Sequence, residues 1–122
     1  MHAVKIPADG TKPATIVDEE LDLRYLQEAV GGMIEAVNIE RVLTDTGTKT
    51  VDATVFVNEE GKLIGLPVNP RATDLCALKI GGWIHDVING DVIVVGPPGP
   101  EGEETPCPKK VIAIIREWGW FE

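Results

Sequence analysis

The sequence predicts an α+β domain: a mostly antiparallel sheet of about six or seven strands, with two short helices on one face. Three observations predict it. Runs of β-branched and aromatic residues at Thr54–Val57 and Asp91–Val95 have the composition of strands, and the second reads as a central, fully buried one. Short polar turns border these runs, Asn58-Glu59-Glu60-Gly61 and Asn89-Gly90, which favours hairpins and antiparallel pairing. Asn69-Pro70 is a helix start with a mechanism. The Asn side chain can cap a free backbone N–H, and Pro at the first helical position has no N–H to leave unpaired.

Taken in order, His2–Ile6 alternates and reads as a first strand. Pro7-Ala8-Asp9-Gly10 is a turn, and Ala14–Val17 is the partner strand of an N-terminal hairpin. Asp18-Glu19-Glu20 opens a helix, with Asp18 or Asp22 as N-cap. Leu23, Leu26 and Val30 fall on one helical face, and Gly31-Gly32 stops the helix. Met33–Ile39 alternates as a strand, and Glu40–Val51 reads as a loop or hairpin tip around Thr44–Thr48. Lys62-Leu63-Ile64 returns as a strand after the turn, and Ala72–Leu78 follows Asn69-Pro70 as a short helix. Gly81-Gly82 breaks the chain, and Trp83–Ile88 fits either a strand or a helical turn. Residues 96–110, rich in Pro, Gly and Glu, read as a mobile surface loop. Val111–Ile115 reads as the last strand, and 116–122 as an aromatic tail.

The chain has 122 residues, within the range of one domain, and 43% are hydrophobic, enough for a real core. Twenty acids against 11 bases give a net charge of −9. Such a chain is repelled by nucleic acid and by anionic membranes, so neither is expected as a direct partner. No apolar run approaches the roughly 20 residues that span a bilayer. Two cysteines outside any CxxC pair make neither a zinc site nor a disulfide framework. With no signal-peptide pattern, they predict a cytoplasmic protein.

No Ser-His-Asp grouping, phosphate-binding Gly-rich loop or HExxH motif is present, and His2 and His85 have no ligand spacing beside them. No catalytic residue, metal site or cofactor is therefore assigned. Arg71 is the most informative residue. It falls in the first turn of the helix begun by Asn69 and Pro70, where a cation opposes the helix dipole. Two readings stand: an anion held there by free N–H groups and the guanidinium, or a surface ion pair with one of the acids. Asn69 and Thr73 are candidates for the same site, although capping already explains Asn69. Trp118, Trp120 and Phe121 also have two readings. They fold back on the core, or they anchor a contact with another copy of the chain or with a partner.

Four stretches together resemble a family known only as domain of unknown function 3846. They are IPADG at Ile6–Gly10, LQEAVGGMIEAV at Leu26–Val37, VNEEGKLIGLPVNPRAT at Val57–Thr73 and GDVIVVG at Gly90–Gly96. The third is the most specific. The resemblance implies an accessory gene of actinobacteria, their phages or mobile elements, and transfers no catalytic residue. The expected function is a non-catalytic accessory protein that binds a host factor or a small phosphate-bearing ligand, in the setting of host physiology or defence. One alternative is an acidic DNA mimic that blocks a nucleic-acid-binding host protein. Another is a small-substrate enzyme of unknown class.

Overall fold

A computed structural model describes residues 2–79 and 86–121. The fold is α+β, with one antiparallel sheet and, among the described residues, three short helices. The strands are β1 (His2–Ile6), β2 (Thr15–Asp18), β3 (Ile34–Thr44), β4 (Gly47–Asn58) and β5 (Val92–Val95). The helices are α1 (Leu23–Val30), α2 (Pro70–Leu75) and α3 (Lys109–Glu117). The sheet order is β2-β1-β5-β4-β3, which puts β5 at the centre. All four of its residues are buried, as its β-branched run requires.

The sheet separates two hydrophobic clusters, and strand alternation assigns residues to each. Ile93 and Val95 face the cluster that holds Ala3, Phe56 and Leu26 of α1. Val92 and Val94 face the cluster that holds Val4, Ile6, Val55 and Val57, together with Leu75 of α2 and Val111, Ile114 and Ile115 of α3. The helices therefore cover both faces, α1 on one and α2 with α3 on the other, rather than one face.

Among the described residues five strands form instead of six or seven, because two expected strands adopt other structure. Lys62–Ile64 is not a strand. It continues the turn, with Ile64 N–H donating to Glu60 C=O at 2.9 Å and Leu66 N–H to Gly61 C=O at 2.9 Å. Leu63 is 84% exposed, so no sheet neighbour covers it. Val111–Ile115 is helical. Its buried residues, Val111, Ile114 and Ile115, are spaced i, i+3 and i+4, while Ala113 is exposed. The β-branched composition suggested a strand, but the period is that of a helix.

The middle hairpin is longer than the sequence indicates. Glu40–Val51 forms ladder up to a tip at Asp45-Thr46. Ile39 and Val42 both reach the α2/α3 cluster, although residues three apart on a regular strand point to opposite faces. A register irregularity between Ile39 and Arg41 reconciles them.

Helix α1 begins after Asp22, whose carboxylate accepts from Tyr25 N–H at 2.8 Å, and ends at Gly31 with φ 82°. Asp18 lies in β2 and Leu23 is 59% exposed, so the buried residues of the helix are Leu26 and Val30, with Tyr25 and Ala29 partly buried. The 96–108 loop folds on itself: Gly96 N–H donates to Thr105 C=O and Gly99 N–H to Glu103 C=O. Asp86–Ile88 has no regular structure, and the Trp83–His85 part of the expected element lies outside the described residues. Among the described residues no helix is long and apolar enough to cross a membrane.

Candidate functional site

The chain from Asn69 to Thr73 is placed by hydrogen bonds that its sequence specifies. Asn69 is fully buried and caps α2, its side-chain oxygen accepting from Ala72 N–H at 3.0 Å. Its Nδ2 donates to Ile6 C=O at 2.9 Å and to Gly90 C=O at 3.0 Å. One amide thus ties α2 to the end of β1 and to the approach to β5. Thr73 Oγ1 donates to Asn69 C=O at 2.8 Å and accepts from Ile88 N–H at 2.9 Å. Both side chains bond within the fold.

Arg71 is separated from them. Its Nη2 donates to Pro7 C=O at 2.7 Å and to Asp9 C=O at 3.2 Å, while its Nε is buried with no partner. It forms no ion pair among the described residues. Neither sequence reading anticipated this use: the guanidinium docks on main-chain oxygens and holds the β1–β2 turn against α2.

That docking builds one wall of an open cleft of about 420 Å³. The turn contributes Gly10, Thr11, Lys12 and Pro13, α2 contributes Arg71, and the chain after α3 contributes Gly119 and Trp120. The C-terminal wall is fixed by Ala14 N–H donating to Trp120 C=O at 2.8 Å and by a reversal at Gly119, whose φ of 75° suits glycine. The turn is held by Asp9, whose carboxylate accepts from Thr11 N–H at 2.9 Å and from Thr11 Oγ1 at 2.7 Å. These bonds, and then the charges of Lys12 and Arg71, hold its carboxyl below the ordinary value of 3.8.

Trp118, Trp120 and Phe121 are half-buried and packed against the α2/α3 cluster. The two indoles lie 4.7 Å apart at 45°, and the Arg116 guanidinium sits 5.4 Å over the Phe121 ring. Sequence reasoning selected Arg71 and Trp120 separately and missed Thr11 and Lys12. Nothing local in Thr11-Lys12-Pro13 distinguishes it from an ordinary turn, and only the fold brings it to Arg71.

Among the described residues no group of three or more His, Cys, Asp or Glu side chains is placed to hold a metal. Cys76 and Cys107 are buried, and burial pushes both thiols up to about 12, so neither is a ready nucleophile.

A family model described as Domain of unknown function (DUF3846) matches residues 1–118. No curated protein and no solved structure matches the chain.

Proposed function

The chain belongs to the family described as Domain of unknown function (DUF3846), and from that premise we propose that it is a non-catalytic accessory protein that binds a small phosphate-bearing ligand. The site is the cleft between Lys12, Arg71 and Trp120, not the cap of α2. One observation carries the reading: a chain of net charge −9 places two cations and an indole around one open cleft. A phosphate gains a charge-assisted hydrogen bond from Lys12 and the attraction of the Arg71 guanidinium, and a base or other flat group can stack on Trp120.

The acidic-mimic reading has less support. Duplex DNA presents its charges in continuous rows. Strand register puts Asp18–Asp22 and Glu101–Glu104 at the end of the sheet where β5 finishes, and Glu59-Glu60 at the end where β5 begins. The three acidic clusters therefore do not share one end.

Thermal melting with inorganic phosphate and a panel of nucleotides tests the proposal. At least one ligand should raise the melting temperature, and Lys12→Ala should weaken it by about fivefold to tenfold, the cost of one charged contact. Arg71→Ala should weaken it further, but it also removes the turn bonds, so Lys12→Ala is the cleaner variant. No shift with any ligand, or the same shift in Lys12→Ala, would overturn this site.

A further inference from the structure

Trp120 also borders a second cavity of opposite character. It measures about 390 Å³ and is lined by Leu43, Asp45, Asp74, Ala77, Trp118 and Trp120. Asp45 comes from the β3–β4 tip, Asp74 from the exposed side of α2 and the two indoles from the turn after α3. Three separate elements therefore converge on it. Trp118 and Trp120 are only half-buried, so part of each ring is open, and their 45° tilt presents two faces rather than one stacked plane. Among the described residues, neither carboxylate makes a side-chain hydrogen bond or ion pair, while Asp86 is paired with Lys62, Asp91 with Lys5 and Glu28 with Arg24.

We propose that this cavity binds an organic cation carrying an alkylated ammonium group, held by the indole faces of Trp118 and Trp120 and by the carboxylates of Asp45 and Asp74. The attraction has two independent parts. A ring face draws a cation through its quadrupole, most strongly for Trp, and this suits a weakly hydrated alkylammonium that gives up little water. The unpaired carboxylates add a charge term, and Leu43 and Ala77 offer apolar contact to the alkyl groups. The same C-terminal turn already holds one cation against a ring, Arg116 over Phe121. The cation is a free small molecule or a methylated lysine on a partner chain, since both present the same group. The inference does not rest on the phosphate reading, because the two clefts share only Trp120 and have opposite charge.

The test uses the whole chain and tetramethylammonium, with tert-butanol as a neutral analogue of similar shape. Binding is read from tryptophan fluorescence and from the indole N–H resonances of Trp118 and Trp120. Tetramethylammonium should bind saturably, at least about tenfold tighter than tert-butanol, which removes the cation–π and charge contributions together. The double variant D45N/D74N changes two exposed side chains and should weaken binding by at least about fivefold with the melting temperature retained. Lys12→Ala should leave it unchanged, which separates this site from the phosphate cleft. A trimethyl-lysine peptide binding more tightly than tetramethylammonium would identify a polypeptide source, and equal affinity a small molecule; both outcomes support the site. No saturable binding, equal binding of the neutral analogue, or unchanged affinity in D45N/D74N would overturn it.

Discussion

Asn69 shows how much one buried amide can decide. Its acceptor caps α2, and its two donor bonds reach the carbonyls of Ile6 and Gly90 from parts of the chain distant in sequence. Asn69→Ala removes the side-chain partner of all three main-chain groups in a buried site. The expected loss is about 3 kcal/mol, roughly one cap and two unsatisfied carbonyls, read as a lower urea midpoint at an unchanged slope. A loss under about 0.5 kcal/mol would mean that the interior supplies other partners. Arg71 is the contrasting residue. Its Nη2 makes two main-chain bonds while its Nε is buried without a partner, and the side chain lines a cleft, so one residue serves both the fold and the cleft wall.

At the scale of elements, α3 is the instructive case. Val111, Ile112, Ile114 and Ile115 are strand formers by composition, and propensity alone assigns them to a ladder. The helix forms because three of these residues fall on one stripe that the α2-side core can bury. Pro108 precedes it with φ −60°, already near the helical value, and Arg116 sits favourably in its last turn. Ala113 is exposed in mid-helix, so Ala113→Pro removes an intrahelical bond without disturbing the core directly. It should cost about 3 kcal/mol or more and reduce helical circular dichroism. Exposed Ala113→Ser, which keeps the backbone bond, should fall within about 0.5 kcal/mol of the parent. Equal small effects from both variants would be incompatible with a helix here.

At the scale of the molecule, the central sheet keeps two cores apart, and both thiols lie in the one that faces α2 and α3. Burial raises Cys76 and Cys107 from 9.0 to about 12, so each holds its proton in the folded state well past the pH at which the unfolded chain ionises. The sign follows directly. Above about pH 9 the unfolded chain loses thiol protons that the folded chain retains, so stability falls as pH rises, with full stability below that value. Alkylation by iodoacetamide at pH 8 should therefore be slow in the native protein and fast in urea. Replacing both cysteines by alanine should flatten the decline in urea midpoint between about pH 9 and 11. Rapid native labelling would show that the α2/α3 face opens locally.

The features that local chemistry dictates were legible in the sequence alone: the cap at Asn69, the Pro70 start, the Gly31 stop, the buried β5 run and the N-terminal hairpin. Each depends on a few adjacent residues whose backbone demands have one cheap solution. Tertiary structure decided the rest, because the deciding partner lies far along the chain. The core that α3 meets turned a β-branched run into a helix. The fold spent Asn69 and Thr73 internally and carried Arg71 to a turn some sixty positions away, beside Lys12 and Trp120. Charge, aromatic faces and unpaired donors become a site only where packing gathers them, and packing is a property of the whole chain.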